Sequence, residues 1–417
     1  MRMRWGVMLA ALLTLAAAPA MACTITIGVV MSLTGPAGPF GQTASKAVNM
    51  AFRDLNQAGG VNGCTLAAEI RDAQSQGSVG VDVAKQLVAI DHVPAIIGAV
   101  ISSVSLPILT AVTGPGRIVQ ISPASSSPTF TQLAKAGKTH GYWFRTITSD
   151  ALQGVAAAKY ALSLGFKRIA IIHVNNDFGV NMEAEFARAY RALGGTILSD
   201  TPYDAGQSSY AAEVARGIAE KPDALYLISY PGDGTTIART WIAQGGVRKF
   251  LLNDGMNDAG FIKDVGPAYL DHAYGTSSGT ETTASTAYFA TAFPAYAHAS
   301  ADAPAAPQAY DSAAILGLAI AEAGSAKPRA IRDAMRRVLD PKGTVVGAGP
   351  AGFRKALALI KAGKPIRYEG VIGPVSFDRW GDITGPFRLW RIQGGKVVTT
   401  GTMSTAEIDA IKAKLGK

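Results

Sequence analysis

The feature that most constrains this chain is a repeated alternation of short apolar runs with amphipathic segments. Apolar runs at 24–31, 168–173 and 224–228 are each followed by a stretch with apolar residues at helical spacing, as in 44–57. Continuous apolar strands between amphipathic helices are typical of parallel sheets covered by helices on both faces. The pattern restarts after about residue 146. We therefore predict an α/β protein with two similar Rossmann-like lobes.

The composition excludes several classes of protein. The 417 residues are 48% hydrophobic and 17% charged, which is incompatible with intrinsic disorder. Lys and Arg (39) exceed Asp and Glu (30), but the positive charge is spread along the chain without a basic run, so no nucleic-acid partner is indicated. Beyond the N-terminus, no apolar run has the roughly 18 residues of a transmembrane helix. A globular protein is predicted.

The first 22 residues contain the three parts of an export signal. Arg2 and Arg4 form a positive n-region, residues 7–18 form an apolar stretch too short to cross a bilayer, and residues 20–22 (Ala-Met-Ala) match a cleavage site. We therefore predict that residues 1–22 are a signal peptide and that the mature chain is exported into an oxidising compartment.

The mature chain would contain two cysteines, Cys23 and Cys64, each of which opens a strand-like run. If these two strands are parallel neighbours joined by the intervening helix, both cysteines lie at the same edge of the sheet. We therefore predict a Cys23–Cys64 disulfide. The alternative is a lipidated Cys23 with a free, buried Cys64.

The loops that follow the predicted strands contain the candidate ligand-binding residues, because ligands of open parallel sheets bind beyond the carboxyl ends of the strands. Serines and backbone N–H groups at helix N-termini suit a carboxylate, an acidic side chain suits an ammonium group, and aromatic rings suit an apolar body. Taken singly, Ser102 or Ser126 is more often a helix N-cap, and Asp254 before a glycine is more often a turn residue. The candidates are Phe40, Ser102, Ser103, Ser125, Ser126, Phe178, Tyr230 and Asp254.

Motifs for catalysis and metal binding are weak. Residues 275–279 match G-x-S-x-G around Ser277, but a nucleophile elbow needs a helix directly after it, and 280–285 are polar and β-branched. The five histidines lack metal-ligand spacing, and the glycine-rich loop 35–41 matches neither a dinucleotide nor a phosphate-binding pattern. We predict no catalytic residues, no metal and no cofactor. A secreted hydrolase using Ser277 is the alternative from another class.

A series of segments resembles the periplasmic branched-chain amino-acid-binding proteins, which are the solute receptors of ABC importers. The order of the segments is specific, although no single motif is decisive, and the likeness covers essentially the whole mature chain. The segments are residues 26–30, 33–36, 40–41, 56–63, 97–98, 102–103, 121–123, 145–146, 168–173, 178–179, 310–311, 373–374, 377–378 and 381–382.

The resemblance implies the type I periplasmic-binding fold, in which two lobes joined by three crossovers close on a ligand like a hinge. The crossovers would lie near residues 145, 275 and 372. It also implies a periplasmic location, the membrane permease domains of an ABC importer as partners, and a monomer. The implied lobes are residues 23–145 plus 276–371 (N-lobe) and residues 146–275 plus 372–417 (C-lobe).

The resemblance further implies roles for matching residues. Ser102 and Ser126 would hold a ligand carboxylate through hydroxyl and backbone N–H groups, with Ser103 and Ser125 framing it. Asp254 stands where these relatives often have Glu, and it would pair with an α-ammonium group.

The remaining matching positions are aromatic. Phe40 and Phe178 stand where Tyr is common, so the pocket is expected to be more apolar; Tyr230 keeps its ring, and Tyr310 is expected to line the cleft. An aliphatic or aromatic L-amino acid is therefore the favoured ligand. Aromatic carboxylates of the benzoate or phenylpropanoid type, and small amides, are the alternatives within this class.

Overall fold

The computed structural model describes residues 23–415, so the predicted signal peptide lies outside the described residues. Strands and helices alternate as the sequence predicts. The strands are β1 (Cys23–Met31), β2 (Cys64–Asp72), β3 (Ala95–Gly98), β4 (Val119–Ser122), β5 (Trp143–Arg145), β6 (Arg168–Val174), β7 (Thr196–Tyr203), β8 (Ala224–Ile228), β9 (Phe250–Leu252), β10 (Ala273–Ser278), β11 (Thr344–Val346), β12 (Ile366–Gly370), β13 (Gly373–Pro374), β14 (Phe387–Gln393) and β15 (Lys396–Met403).

The helices cover both faces of the sheets. Short helical turns also occur at 109–113, 254–256 and 267–269. The helices are α1 (Gly38–Gln57), α2 (Gly77–Ala89), α3 (Ser102–Ile108), α4 (Gly114–Gly116), α5 (Thr129–Lys135), α6 (Asp150–Ser163), α7 (Asp177–Ala192), α8 (Ala211–Ala219), α9 (Pro231–Ala243), α10 (Ala259–Val265), α11 (Ala284–Ala297), α12 (Ala306–Ala323), α13 (Pro328–Ala334), α14 (Gly349–Lys361) and α15 (Thr405–Leu415).

Two main sheets form the centres of the two lobes. The N-lobe sheet has the order β2-β1-β3-β4-β5 and is parallel throughout. The C-lobe sheet has the order β15-β14-β10-β9-β8-β6-β7. A third, small sheet of β11, β12 and β13 belongs to the N-lobe, where α14 packs on α1. The chain passes between the lobes after β5, after β10 and between β13 and β14, so the two-lobed architecture with three crossovers is confirmed.

The C-lobe sheet departs from the prediction of wholly parallel sheets. Strand β14 pairs antiparallel with both β10 and β15. Strands β14 and β15 are consecutive and are joined by a hairpin turn at Gly394 and Gly395, both of which have positive φ angles of 56° and 75°. A hairpin needs no crossover helix, and glycine adopts this conformation without steric cost. The result places the start of β14 beside the end of β10.

Two predicted element boundaries were wrong for identifiable reasons. Helix α1 begins at Gly38 rather than near Ala44, because Pro39 is compatible with the first turn of a helix and shortens the predicted loop. The apolar run at 371–377 also predicts a strand, but only the short β13 forms there. The backbone N–H groups of Val371 and Ile372 each donate to the carboxylate of Asp311 at 2.9 Å, instead of to a neighbouring strand.

The predicted disulfide is confirmed. Strands β1 and β2 are parallel neighbours in which Cys23 lies opposite Cys64, and the two residues are bonded with their Cα atoms 4.6 Å apart. The alternative with a free Cys64 is therefore wrong. Between residues 23 and 415, no helix combines the length and the apolar character needed to cross a membrane.

Candidate functional site

A cavity lies between the two lobes, at the carboxyl ends of their parallel strands. It encloses about 800 Å³ of space, including the part that opens to solvent. The loops after the strands of both lobes form its wall, as expected for an open parallel sheet. The predicted residues that line it are Phe40, Ser102, Ser126, Phe178, Tyr230 and Asp254.

The structure does not bring the other three predicted residues to the cavity wall. Ser125 is buried and donates to the Ser105 hydroxyl at 2.7 Å. Ser103 lies outside the cavity wall, near enough to the Tyr230 hydroxyl to lower the pKa of Tyr230 slightly against the effect of burial. The hydroxyl of Tyr310 donates to Asp54 at 2.8 Å inside the N-lobe, which contradicts the expectation that Tyr310 lines the cleft.

The position of Tyr310 has a clear physical reason. Helix α12 is buried along almost its whole length, from Ala306 to Ala321. A helix that is buried on all sides lies in the core, so its few polar side chains must find hydrogen-bond partners inside the protein. The Tyr310 hydroxyl finds one in Asp54 on α1. The alanine-rich sequence of α12 is the signal from which its burial could have been predicted.

Three aromatic rings from both lobes form one wall of the cavity. The Phe178 ring stacks on Tyr230 with centroids 5.7 Å apart, and the Phe40 ring meets Tyr230 edge-on at 6.3 Å. The Tyr230 hydroxyl accepts a hydrogen bond from Asn176 Nδ2 at 3.2 Å, and burial raises the pKa of Tyr230. The wall is therefore uncharged and suits an apolar ligand body.

The two phenylalanines occupy equivalent positions in the two lobes. Phe40 lies in the first turn of α1 and Phe178 in the first turn of α7, and a glycine follows each of them. A Cβ atom at Gly41 would clash with the carbonyl of Ser32, and one at Gly179 would clash with that of Val174. Only glycine therefore allows each helix to approach the end of its strand closely enough to place the ring over the cavity.

Two hydroxyl groups lie on the N-lobe side of the cavity. Ser102 opens α3, and its oxygen accepts from the Ser127 backbone N–H at 3.3 Å, which leaves its own proton available for donation to a ligand. Ser126 lies in the loop after β4, and its hydroxyl oxygen is 3.1 Å from Oδ2 of Asp150. Both serines are almost fully buried. They suit the recognition of a small polar group.

Two acidic side chains lie on the C-lobe side. Asp254 follows β9 and accepts from the Gly255 backbone N–H at 2.9 Å. No basic side chain of residues 23–415 forms an ion pair with Asp254, and burial raises its pKa. Asp150 is fully buried, and burial together with the charge of Asp254 raises the pKa of Asp150 well above its ordinary value.

A basic group that influences Asp150, the Arg145 guanidinium, is already bonded elsewhere. The Arg145 guanidinium donates to Asp382 at 2.7 Å and to the carbonyl oxygens of Ser125 and Ser127 at 3.2 and 2.9 Å. This fully buried arginine anchors the loop that contains Ser126. Arg145 therefore leaves Asp254 without an ion pair in the described chain.

The cavity wall also contains polar residues that were not predicted as ligand-binding residues. They are Ser277, Ser278, Thr280, Asp302 and Arg388. The candidates came only from loops after parallel strands, whereas Arg388 lies at the beginning of the antiparallel strand β14. Asp302 lies in the alanine- and proline-rich stretch that the sequence left undefined.

The geometry around Ser277 does not form a nucleophile elbow. Its hydroxyl oxygen accepts from Trp390 Nε1 at 2.8 Å, and the next helix, α11, begins only at Ala284. An elbow requires a serine at a sharp turn directly between strand and helix. The G-x-S-x-G match is therefore part of strand β10.

Within the described part of the chain, no group of three or more His, Cys, Asp or Glu side chains is arranged to hold a metal ion. The titratable groups in the cavity wall are the carboxylates of Asp254 and Asp302, the hydroxyl of Tyr230 and the guanidinium of Arg388. The wall therefore offers both acidic and basic groups to a bound molecule.

The two lobes also contact each other around the cavity. The Thr129 hydroxyl of the N-lobe donates to Asp177 of the C-lobe at 2.9 Å. On another side, Asn257 Nδ2 of the C-lobe donates to the backbone carbonyl of Asp302 at 3.3 Å. Both contacts are polar and partly exposed, so they suit an interface that opens and closes.

Comparisons with known proteins agree with this architecture. The chain is 28% identical over 392 residues to the Leu/Ile/Val-binding protein BraC3 of Rhizobium johnstonii, covering 92% of this chain and 96% of that protein. A leucine-binding protein LivK from Thermotoga maritima superposes with a TM-score of 0.78 at 21% identity, covering 92% and 99% of the two chains.

A further structure shows that the same fold accommodates a different ligand. The solute-binding protein of an ABC transporter from R. palustris, in complex with benzoate, superposes with a TM-score of 0.76 at 18% identity, covering 92% of this chain and 97% of that one. Such identities show the fold alone. The sequence profile of the periplasmic binding proteins matches residues 24–396. The chain belongs to the periplasmic-binding-protein family.

Proposed function

We propose that this protein is the periplasmic solute-binding receptor of an ABC importer and that it captures an L-amino acid with an aliphatic or aromatic side chain. The observation that carries this proposal is the carboxylate of Asp254, which lines the cavity and forms no ion pair with a basic side chain of the described residues. A carboxylate in a largely enclosed cavity is costly without a cationic partner, and a ligand ammonium group would remove that cost.

The other parts of the cavity suit the remainder of an amino acid. The Ser102 hydroxyl has a proton available for a ligand carboxylate, because its oxygen already accepts from Ser127. The rings of Phe40, Phe178 and Tyr230 offer an apolar wall for the side chain. The name of BraC3 and the description of LivK, both amino-acid binders, support this ligand class.

An aromatic carboxylate is the second candidate, favoured by the aromatic wall and by the R. palustris neighbour in complex with benzoate. Such a ligand has no ammonium group, so Asp254 would have to bind it in the protonated form. Because burial already raises the pKa of Asp254, this binding would strengthen as the pH falls. Amino-acid binding has the opposite dependence, since it needs the ionised carboxylate. Small amides also have no ammonium group, so they would leave the ionised Asp254 carboxylate without a cationic partner.

The test is isothermal calorimetry on the mature protein after removal of any copurified ligand by unfolding and refolding. The panel contains the twenty amino acids, benzoate and phenylpropanoid acids, and small amides. Asp254→Asn keeps the shape of the side chain and removes its charge, and Asp271→Asn at an exposed position is the matched control. We expect the Asp254 variant to lose amino-acid affinity by roughly 30-fold or more, equivalent to about 2 kcal/mol.

The outcomes separate the candidates. Amino-acid binding that is unchanged by Asp254→Asn contradicts the proposed role of Asp254. Binding of acids without an amine that survives this substitution, and that strengthens at low pH in the wild type, supports the aromatic-carboxylate candidate instead. A permease complex reconstituted in membranes should respond to the ligand-loaded protein, and a complex that ignores it contradicts the importer role.

A further inference from the structure

Arg388 lies in the cavity wall together with the aromatic rings and Asp254. In the antiparallel pair of β10 and β14, Arg388 lies directly across from Ser277. Residues that oppose each other in such a pair project from the same face of the sheet. Both residues line the cavity. The guanidinium therefore belongs to the binding site by the geometry of the sheet.

The hydrogen-bonding capacity of Arg388 is almost unused. Its side chain is only 21% exposed, yet its nearest acid in the described chain is Asp302 at 3.6 Å, beyond hydrogen-bonding distance. Asp302 is itself 76% exposed, so solvent screens this ion pair. Arg145, in contrast, bonds to one carboxylate and two carbonyls. A guanidinium has five N–H donors, and those of Arg388 donate to no acceptor within hydrogen-bonding distance in the described chain, so they are free to bind a ligand.

The surroundings of Arg388 are polar. Ser278 and Thr280 line the same cavity, and the Asn257 amide donates to the backbone of Asp302 close to its mouth. Asp254 belongs to the same cavity but forms no ion pair with Arg388 in the described chain. The cavity thus contains an acid, Asp254, without an ion pair in the described chain and a base, Arg388, whose ion pair is long and exposed.

We propose that Arg388 is a specificity-determining residue that binds a second anionic group on the ligand, distinct from the carboxylate assigned to Ser102 and from the ammonium group assigned to Asp254. The inference rests on the proposed function and narrows it. The ligand class is an L-amino acid whose aliphatic or aromatic side chain ends in a carboxylate. In the unliganded protein Arg388 pairs with Asp302, which solvent screens. When the ligand binds, its carboxylate displaces Asp302 and pairs with the guanidinium away from water.

The test compares matched amino acids that differ only in the terminal charge. The pairs are L-2-aminoadipate with L-norleucine, L-glutamate with L-glutamine, and L-4-carboxyphenylalanine with L-phenylalanine, each titrated by calorimetry. We expect the wild type to prefer the acidic member of at least one pair by roughly tenfold or more. Arg388→Gln should remove this preference and leave the uncharged member within about twofold.

Asp302→Asn distinguishes ligand binding by Arg388 from a role of the Asp302–Arg388 pair in holding the two lobes together. If Asp302 competes for Arg388, the substitution strengthens binding of the acidic ligand. If the Asp302–Arg388 pair only holds the lobes together, both Asp302→Asn and Arg388→Gln weaken all ligands alike, and the proposal is overturned. Arg391→Gln on the same strand, outside the cavity wall, is the matched control.

A second variant and the ligand preference of the wild type decide whether Arg388 has the proposed role. Arg388→Lys retains the charge and should keep part of the preference, so it replaces Arg388→Gln if that variant fails to fold. A wild type that prefers the uncharged member of every pair overturns the role of Arg388 while leaving the amino-acid proposal intact. A wild type that binds no amine-bearing ligand overturns both.

Discussion

The hydroxyl oxygen of Ser126 lies 3.1 Å from Oδ2 of Asp150, and the backbone N–H of Asp150 donates to the Ser126 carbonyl at 2.9 Å. This reciprocal pair joins the loop after β4, in the N-lobe, to the first turn of α6, directly after the first crossover. A residue of the ligand site is thereby connected to the start of the C-lobe. The other oxygen of Asp150, Oδ1, has no hydrogen-bond partner in the described chain.

The Ser126–Asp150 pair predicts a measurable loss of stability. Ser126→Ala leaves both oxygens of a fully buried carboxyl group without a side-chain partner, so we expect the free energy of unfolding to fall by about 1–3 kcal/mol. Ser126→Thr retains the hydroxyl and should cost less. The measurement is urea unfolding of the unliganded protein.

A double-mutant cycle checks that this loss belongs to the pair. In the Asp150→Asn background, Ser126→Ala should have a smaller effect than in the wild type, because the two residues contact each other. Strictly additive effects of the two substitutions would mean that the contact contributes nothing to stability.

Glu183 predicts a pH dependence of stability. It lies on α7, where burial, together with the charge and hydrogen bonding of Asp200, raises the pKa of Glu183 to about 7. A raised pKa means that the folded state binds the proton more tightly than the unfolded state. The stabilising contribution is therefore complete below about pH 4.5 and is lost as the pH rises through about 7.

Glu183→Gln should remove this dependence, because glutamine is uncharged at every pH. We expect the variant to gain thermal stability over the wild type at pH 8 and to gain little at pH 4.5, as measured by calorimetric unfolding midpoints. Glu220→Gln, at an exposed position, removes the same charge and serves as the control. An equal effect of Glu183→Gln at both pH values would contradict the prediction.

The Cys23–Cys64 disulfide predicts a dependence on redox conditions. The bond spans 41 residues of sequence, and chain-entropy arguments then give a stabilisation of about 2–4 kcal/mol. The double variant Cys23→Ser, Cys64→Ser should lose this amount in urea unfolding. A reductant should destabilise the wild type by a similar amount and should not affect the variant further. A wild type that is insensitive to reductant would show that strand pairing alone holds this edge.

Much of the cavity wall could be predicted because it follows from local rules. Ser102, Ser126 and Asp254 each lie within four residues of the end of a buried, parallel strand, and such strand ends meet at one edge of the sheet. Phe40 and Phe178 reach the cavity because the glycine after each of them lets its helix begin close to the end of the preceding strand. The disulfide followed from the same logic of adjacent parallel strands.

The residues that were missed or misplaced depend on contacts between distant parts of the chain. Arg388 reaches the cavity only because β14 runs antiparallel beside β10. Asp150 meets Ser126 only because the first crossover returns the chain to the loop after β4. Tyr310 faces Asp54 rather than the cleft because α12 packs on α1 inside the N-lobe.

The sequence by itself therefore determined the alternation of strands and helices, the disulfide, and the loops that approach a ligand. Hydrophobic periodicity and backbone chemistry act over a few residues and can be read directly from the chain. The tertiary structure decided which charges have partners, namely that Arg145 is satisfied by Asp382, that Arg388 has only the exposed Asp302 at 3.6 Å, and that Asp254 forms no ion pair in the described chain. Pairing of charges depends on distances between lobes and strands that no local pattern encodes.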